Sequence, residues 1–225
     1  MNKLSTPAII VNFKAYREVE GFRTREIARI CDDLSSESGV NIAICPPMAH
    51  LADVASLVNV PVLSQHVDPQ TPGSHTGWVT PSMVKATGAR GTLINHSEHQ
   101  ISDEDISRCV GLCRELGLTT IVCADTAETA RRLASILPDF IAVEPPELIG
   151  GDVSVTTAKP EVVSDAVEAV CSVDAGIGVL CGAGVKNGKD VRKALQLGAK
   201  GVLLASGVVK ASSVEKALRD LIQFI

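Results

Sequence analysis

Eight short runs of apolar, largely β-branched residues recur along the chain: IIVNF, NIAIC, VPVLSQ, TLIN, TTIVC, FIAVE, GVLCG and GVLLAS. Continuous apolar runs of this length read as strands buried on both faces. Between them the period changes. Ile27, Ile30, Cys31 and Leu34 share one helical face, as do Leu51, Val54, Ala55 and Val58, and Ile106, Cys109, Val110 and Cys113. Val163, Ala166, Val167 and Val170 repeat the spacing, and so do Val214, Ala217, Leu218, Leu221 and Ile222. Thr80 before Pro81 makes an N-cap with proline at the first helical position, Ser102 with Asp105 resembles a capping box, and Gly88, Gly117 and Gly198 mark helix ends. Apolar strands joined by helical crossovers predict a parallel sheet. Eight units in 225 residues give about 28 residues each, the short end for a (β/α)8 barrel. No Pro/Gly/Ser-rich linker divides the chain. The expectation is an α/β protein with a single (β/α)8 barrel domain over residues 1–225, and a doubly wound open sheet is the structural rival.

Composition narrows the function more than the fold. Apolar residues make up 45%, charged residues 21%, and 21 basic against 26 acidic side chains leave a net charge of -5. This is a folded globular chain with no basic stripe for nucleic acid. Aromatic residues, at 3%, leave the core to Val, Ile, Leu and Ala and offer no stacking platform for single strands. The seven cysteines are an odd number, and Cys45, Cys123 and Cys181 end buried runs, so they read as reduced thiols of a cytosolic protein. Cys109 and Cys113 have neither redox nor zinc spacing. No signal-peptide pattern opens the chain, and no apolar stretch approaches the ~18 residues that span a bilayer. The expected location is cytoplasmic, with no membrane and no nucleic acid as partner.

In such a barrel, chemistry sits at the carboxyl ends of the strands. Strand one delivers Asn12 and Lys14 there, strand three Gln65 and His66, strand four Asn95, His96, Ser97 and Glu98, and strand six Glu144. Strand seven adds Gly182, Ala183 and Gly184, and strand eight Ala205, Ser206 and Gly207. A base, a neutral acid, a cation and two turns able to aim N–H groups at an anion converge on one mouth. A small phosphorylated substrate is the first hypothesis, against the plainer reading that the glycines only serve tight turns. Lys14 is either a fixed positive charge or an ordinary solvated lysine. Glu144 leaves a buried strand onto Pro145 and Pro146, so burial would raise its pKa towards that of a useful base; a purely structural partner is the alternative. The following PPELIGGDVSV, with Gly150 and Gly151 near its middle, has the composition of a lid that excludes water.

Several sharper readings fail. His96 and His99 lack a third zinc ligand at matching spacing, so no metal is expected. Asp103, Glu104 and Asp105 read as the acidic first turn of a helix. AGVKNGKD departs from a Walker A loop at Ala183 and Asp190, and from GxGxxG at Asn187.

Taken together, VNFKAY, NHSEH, VEPPELIG, CGAGV and GVLLAS resemble, in order and over essentially the whole chain, the active-site segments of the triosephosphate isomerase family in its shorter archaeal form. The resemblance implies a TIM barrel that interconverts dihydroxyacetone phosphate and D-glyceraldehyde 3-phosphate in glycolysis and gluconeogenesis, without cofactor. It implies that Glu144 moves the proton between adjacent carbons and that neutral His96 polarises the carbonyl and shuttles protons between the oxygens, the pairing for which this family is known. Lys14, positioned by Asn12, would stabilise the dianionic substrate and the enediolate. Phosphate would lie on N–H groups of Ile149 or Gly150 in the lid, Gly184, Ala205 and Ser206. Glu98 would orient the site from behind.

QHVDPQTPGSHTGW resembles the long third loop through which subunits of this family interlock, with Thr76 reaching towards the neighbour's site, which implies a dimer or tetramer. Many members carry Glu two residues after that threonine and Arg after His-Ser-Glu; this chain has Trp78 and His99, so that ion pair cannot form. The lid lacks the tryptophan of longer relatives, and Asp152 adds a negative charge near its tip. Another phosphate-binding barrel enzyme would share the glycine-rich turns but would not need Asn12, Lys14, His96 and Glu144 together. An inactive barrel serving as scaffold predicts loss of at least one of those residues, and none is lost.

Overall fold

The computed structural model describes residues 4–145 and 160–225. Its strands are β1 (Ala8–Asn12), β2 (Asn41–Cys45), β3 (Leu63–Ser64), β4 (Gly91–Ile94), β5 (Thr119–Ala124), β6 (Phe140–Val143), β7 (Gly178–Cys181) and β8 (Gly201–Leu204). They hydrogen-bond in the order β2-β1-β8-β7-β6-β5-β4-β3, and every pairing is parallel. A bridge between Ile44 and Val62, with the Ile44 N–H donating to the Pro61 carbonyl at 3.0 Å, joins the two outer strands. The sheet is thereby a (β/α)8 barrel, and the open-sheet alternative falls.

Among the described residues the helices are α1 (Phe22–Ser38), α2 (Leu51–Leu57), α3 (Pro81–Ala86), α4 (Asp103–Glu115), α5 (Ala127–Ala134), α6 (Pro160–Cys171), α7 (Gly188–Gln196), α8 (Ser206–Val209) and α9 (Val214–Ile222). The capping signals act where the sequence puts them. Thr80 accepts from Met83 N–H and Ser102 from Asp105 N–H, while Gly88, Gly117 and Gly198 take the left-handed conformation. Asn187 caps α7 by accepting from the Lys189 and Asp190 N–H groups, which explains the near-miss to a nucleotide loop. The third strand is shorter than the 60–65 run predicts. Pro61 has no N–H to give a ladder, so only its carbonyl pairs and regular pairing is confined to Leu63 and Ser64.

Alternation along each strand divides the core in two. Ala8, Ile10, Ala43, Cys45, Leu63, Leu93, Ile121, Cys123, Phe140, Ala142, Leu180 and Leu203 form one buried cluster inside the barrel, with Leu4. Their neighbours Ile9, Val11, Ile42, Ile44, Val122, Ile141, Val179 and Val202 pack outward with the helix faces. Mid-sized aliphatic side chains fill the interior, and among the described residues a ring enters it at Phe140, against Gly178: a Cβ there would lie 2.4 Å from the ring. The barrel interior is thus a packed plug, with a polar cavity at the carboxyl ends of the strands.

Candidate active site

The first strand ends in a left-handed turn at Lys14, φ 52°, a conformation costing roughly 1–2 kcal/mol for a side chain with a Cβ. Local bonds hold it. The Lys14 N–H donates to Asn12 Oδ1 at 2.9 Å, and Gln65 Nε2 donates to the carbonyls of Lys14 at 3.0 Å and Cys45 at 2.9 Å. Asn12 is buried at 4% exposure, and the Lys14 side chain retains only 12%. Its Nζ meets Glu98 Oε1 at 2.8 Å, so the solvated-surface reading of Lys14 is wrong.

Strand β4 ends in a second left-handed residue, Asn95 at φ 61°, a residue type that tolerates this region. Asn95 Nδ2 donates to the Cys123 carbonyl, and its Oδ1 accepts from Ile101 N–H at 3.1 Å. The turn that follows closes with the His99 N–H donating to the His96 carbonyl at 2.7 Å. Inside it the Glu98 N–H donates to His96 Nδ1 at 3.1 Å. An Nδ1 that accepts a hydrogen bond leaves the proton of a neutral imidazole on Nε2. That nitrogen faces Glu144 Oε1 at 3.3 Å.

These neighbours are pushed apart in acidity. Burial is the chief cause for both: it raises Glu144 to about 7 and lowers His96 to about 4. For Glu144 the Ser97 N–H, Lys14 and the Cys123 thiol pull the other way. For His96 the Lys14 charge adds to burial, and Glu98 opposes it. Burial thus brings the glutamate's titration towards neutral pH and keeps the histidine neutral there. Gly182 makes room for this arrangement, since a Cβ there would lie 2.6 Å from Glu144 Cγ and 2.9 Å from the Val143 carbonyl.

A cavity of about 480 Å³ joins Asn12, Lys14, His96 and Glu144 at one end to Gly184, Ala205 and Ser206 at the other. Every expected site residue within the described segments therefore lines one cavity. Ile149 and Gly150, expected on the lid, and Asp152 lie outside the described residues. Among those described, no cluster of His, Cys, Asp and Glu could hold a metal ion. Sequence reasoning named Gln65 without a role and missed Tyr16 in the lining; no spacing singles out either residue.

Residues 7–224 match the family profile for triosephosphate isomerase. The chain belongs to the triosephosphate isomerase family. Similar proteins carrying that name include those of Methanocaldococcus jannaschii, at 49% identity over 77% of this chain and 79% of the relative, and Methanothermus fervidus, at 47% over 79% and 80%. The Methanopyrus kandleri protein is 50% identical over 79% of this chain and 80% of its own length. As a member of the triosephosphate isomerase family the chain is an enzyme, an isomerase.

Proposed function

We propose that Glu144, His96 and Lys14 carry the interconversion of dihydroxyacetone phosphate and D-glyceraldehyde 3-phosphate. The observation that carries the reading is the 3.3 Å approach of His96 Nε2 to Glu144 Oε1, two groups whose surroundings shift their acidities in opposite directions. Glu144 takes a proton from the carbon next to the carbonyl, leaving an enediolate, and returns it to the adjacent carbon. The Nε2–H of His96 donates to the oxygen that gains charge, and the ring then takes up the proton of the neighbouring hydroxyl. One proton thus passes between the two oxygens as the carbonyl moves, while Lys14 Nζ stabilises the developing charge and the phosphate dianion. No redox partner is needed, because one carbon is oxidised as its neighbour is reduced.

The phosphate would rest on backbone N–H groups of Gly184, Ala205 and Ser206, together with Ile149 or Gly150 of the expected lid segment. Gripping the phosphate in a dry site keeps the enediolate from expelling it. We read residues 1–225 as one domain and the protein as a cytoplasmic homo-oligomer joined through the loop around Thr76. Exposed Trp78 and Met83 beside that loop, 44% and 57% accessible, are apolar surface that a second copy would cover. No helix among the described residues is long and apolar enough to cross a membrane, and the seven cysteines are unpaired, as suits a reducing compartment.

A coupled assay with D-glyceraldehyde 3-phosphate, reading dihydroxyacetone phosphate through its reduction, tests the proposal. Turnover should fall about a thousandfold in Glu144→Gln. A folded parent enzyme without turnover, or an active Glu144→Gln, would overturn it.

A further inference from the structure

The loop around Thr76 is tied off at its neck by Asp68. Its N–H donates to the Val79 carbonyl at 2.8 Å, and its Oδ2 accepts from the Val79 N–H at 2.5 Å. The remaining oxygen, Oδ1, lies 3.2 Å from His66 Nε2. His66 in turn stacks on His99, with ring centroids 4.0 Å apart and planes inclined by 18°. Burial lowers the His66 pKa, reinforced by His99 and opposed by Asp68, so His66 is neutral in the stack at neutral pH. The nearly parallel planes keep the ring lone pairs from converging on one ion, so the pair is not a metal site.

His99 closes the turn that carries the catalytic histidine, through its N–H to the His96 carbonyl. Within that turn the Glu98 N–H sits on His96 Nδ1, the contact that places the proton on Nε2. Gln65, the neighbour of His66, holds the Lys14 backbone, and Lys14 pairs with Glu98. Residues 65 and 66 therefore reach both the cation and the turn of the acid from one short segment.

We propose that His66 and His99 are positioning residues, a stacked clip that fastens the base of the 66–79 loop to the 96–99 turn and keeps the Glu98 N–H on His96. The clip works through van der Waals contact of two flat rings, so its requirement at position 99 is planarity rather than charge. Neither ring lines the substrate cavity, and both act through His96. The kinetic part of this inference rests on the proposed role of His96; the tautomer part does not.

The experiment compares His99→Ala, His99→Phe, His66→Ala and the double alanine variant with the parent. His99→Ala should lower kcat about tenfold and leave KM within about twofold, since a misplaced acid costs rate rather than phosphate binding. His99→Phe should restore kcat to within about twofold of the parent, and the double variant should match the worse single one, as expected of groups acting as a unit. In parallel, the ¹⁵N resonances of the His96 ring, recorded without substrate, should shift in His99→Ala and return in His99→Phe. Unchanged ring resonances in a folded His99→Ala protein would overturn the clip whatever the assay shows. So would equal losses in His99→Ala and His99→Phe, or a loss confined to KM. A parent without turnover would overturn the isomerase reading alone, because the resonances still report the clip.

Discussion

The two ends of the barrel are built from the same alternating strands and to opposite rules. At the amino end polar groups are tied into local hydrogen bonds and glycines let strands pack closely, beside a cavity of about 750 Å³ that holds no paired acid and base among the described residues. Asp139 accepts from both the N–H and the hydroxyl of Thr120, Asp32 accepts from the N–H groups of Asn59 and Val60, and Gly178 and Gly201 stand where a Cβ would strike Phe140 or the Ala8 carbonyl. At the carboxyl end two backbone residues are left-handed, a carboxyl is buried towards its neutral form and an imidazole is held neutral. The difference shows that stability and chemistry occupy separate ends of one plug.

Four variants bear on that division, the largest effect first. Glu144→Asp retracts the base by about one carbon–carbon bond and should cut kcat at least about a hundredfold with little change in KM. Equal losses in both constants would argue against its role. Lys14→Met should lower kcat/KM about a hundredfold, with the unfolding midpoint nearly unchanged, because the partner Glu98 is 58% exposed and can be solvated. A large loss of stability would mean that the lysine is structural.

The paired glycines separate the two ends most cleanly. Gly182→Ala places a methyl 2.6 Å from Glu144 Cγ and should lower kcat about tenfold. Gly178→Ala places one 2.4 Å from the Phe140 ring and should cost about 1–3 kcal/mol of stability with kcat within about twofold. Chemical denaturation and steady-state kinetics on both would blur the division if the two variants gave the same pattern. The acid limb of kcat/KM should follow Glu144 near pH 7, and His96, at about 4, should add no limb above pH 5.

Most of the fold was legible because each unit repeats the same two periods. Runs such as FIAVE and GVLCG fell on strands, and Thr80, Ser102 and Gly117 on helix ends. The third strand was overrun because Pro61 is apolar by pattern and yet cannot donate to a ladder. Lys14, His96 and Glu144 were legible as strand-end polar residues. Their contacts were not, because the Lys14–Glu98 pair and the His66–His99 stack join residues far apart in sequence. That His99 stacks on His66 is visible only in the folded chain.

The most direct test is the stability of Glu144→Gln against the parent from pH 4 to pH 9, at fixed protein concentration and alongside kcat. A carboxyl raised in the folded state contributes stability that is fully present below its ordinary pKa of 4.5 and is lost as pH rises through about 7. The parent should therefore lose about 3 kcal/mol relative to the glutamine variant across that window, while the variant's turnover stays about a thousandfold lower. A stability difference that does not change with pH would contradict the claim that the mouth of the barrel holds its base at a cost to the fold.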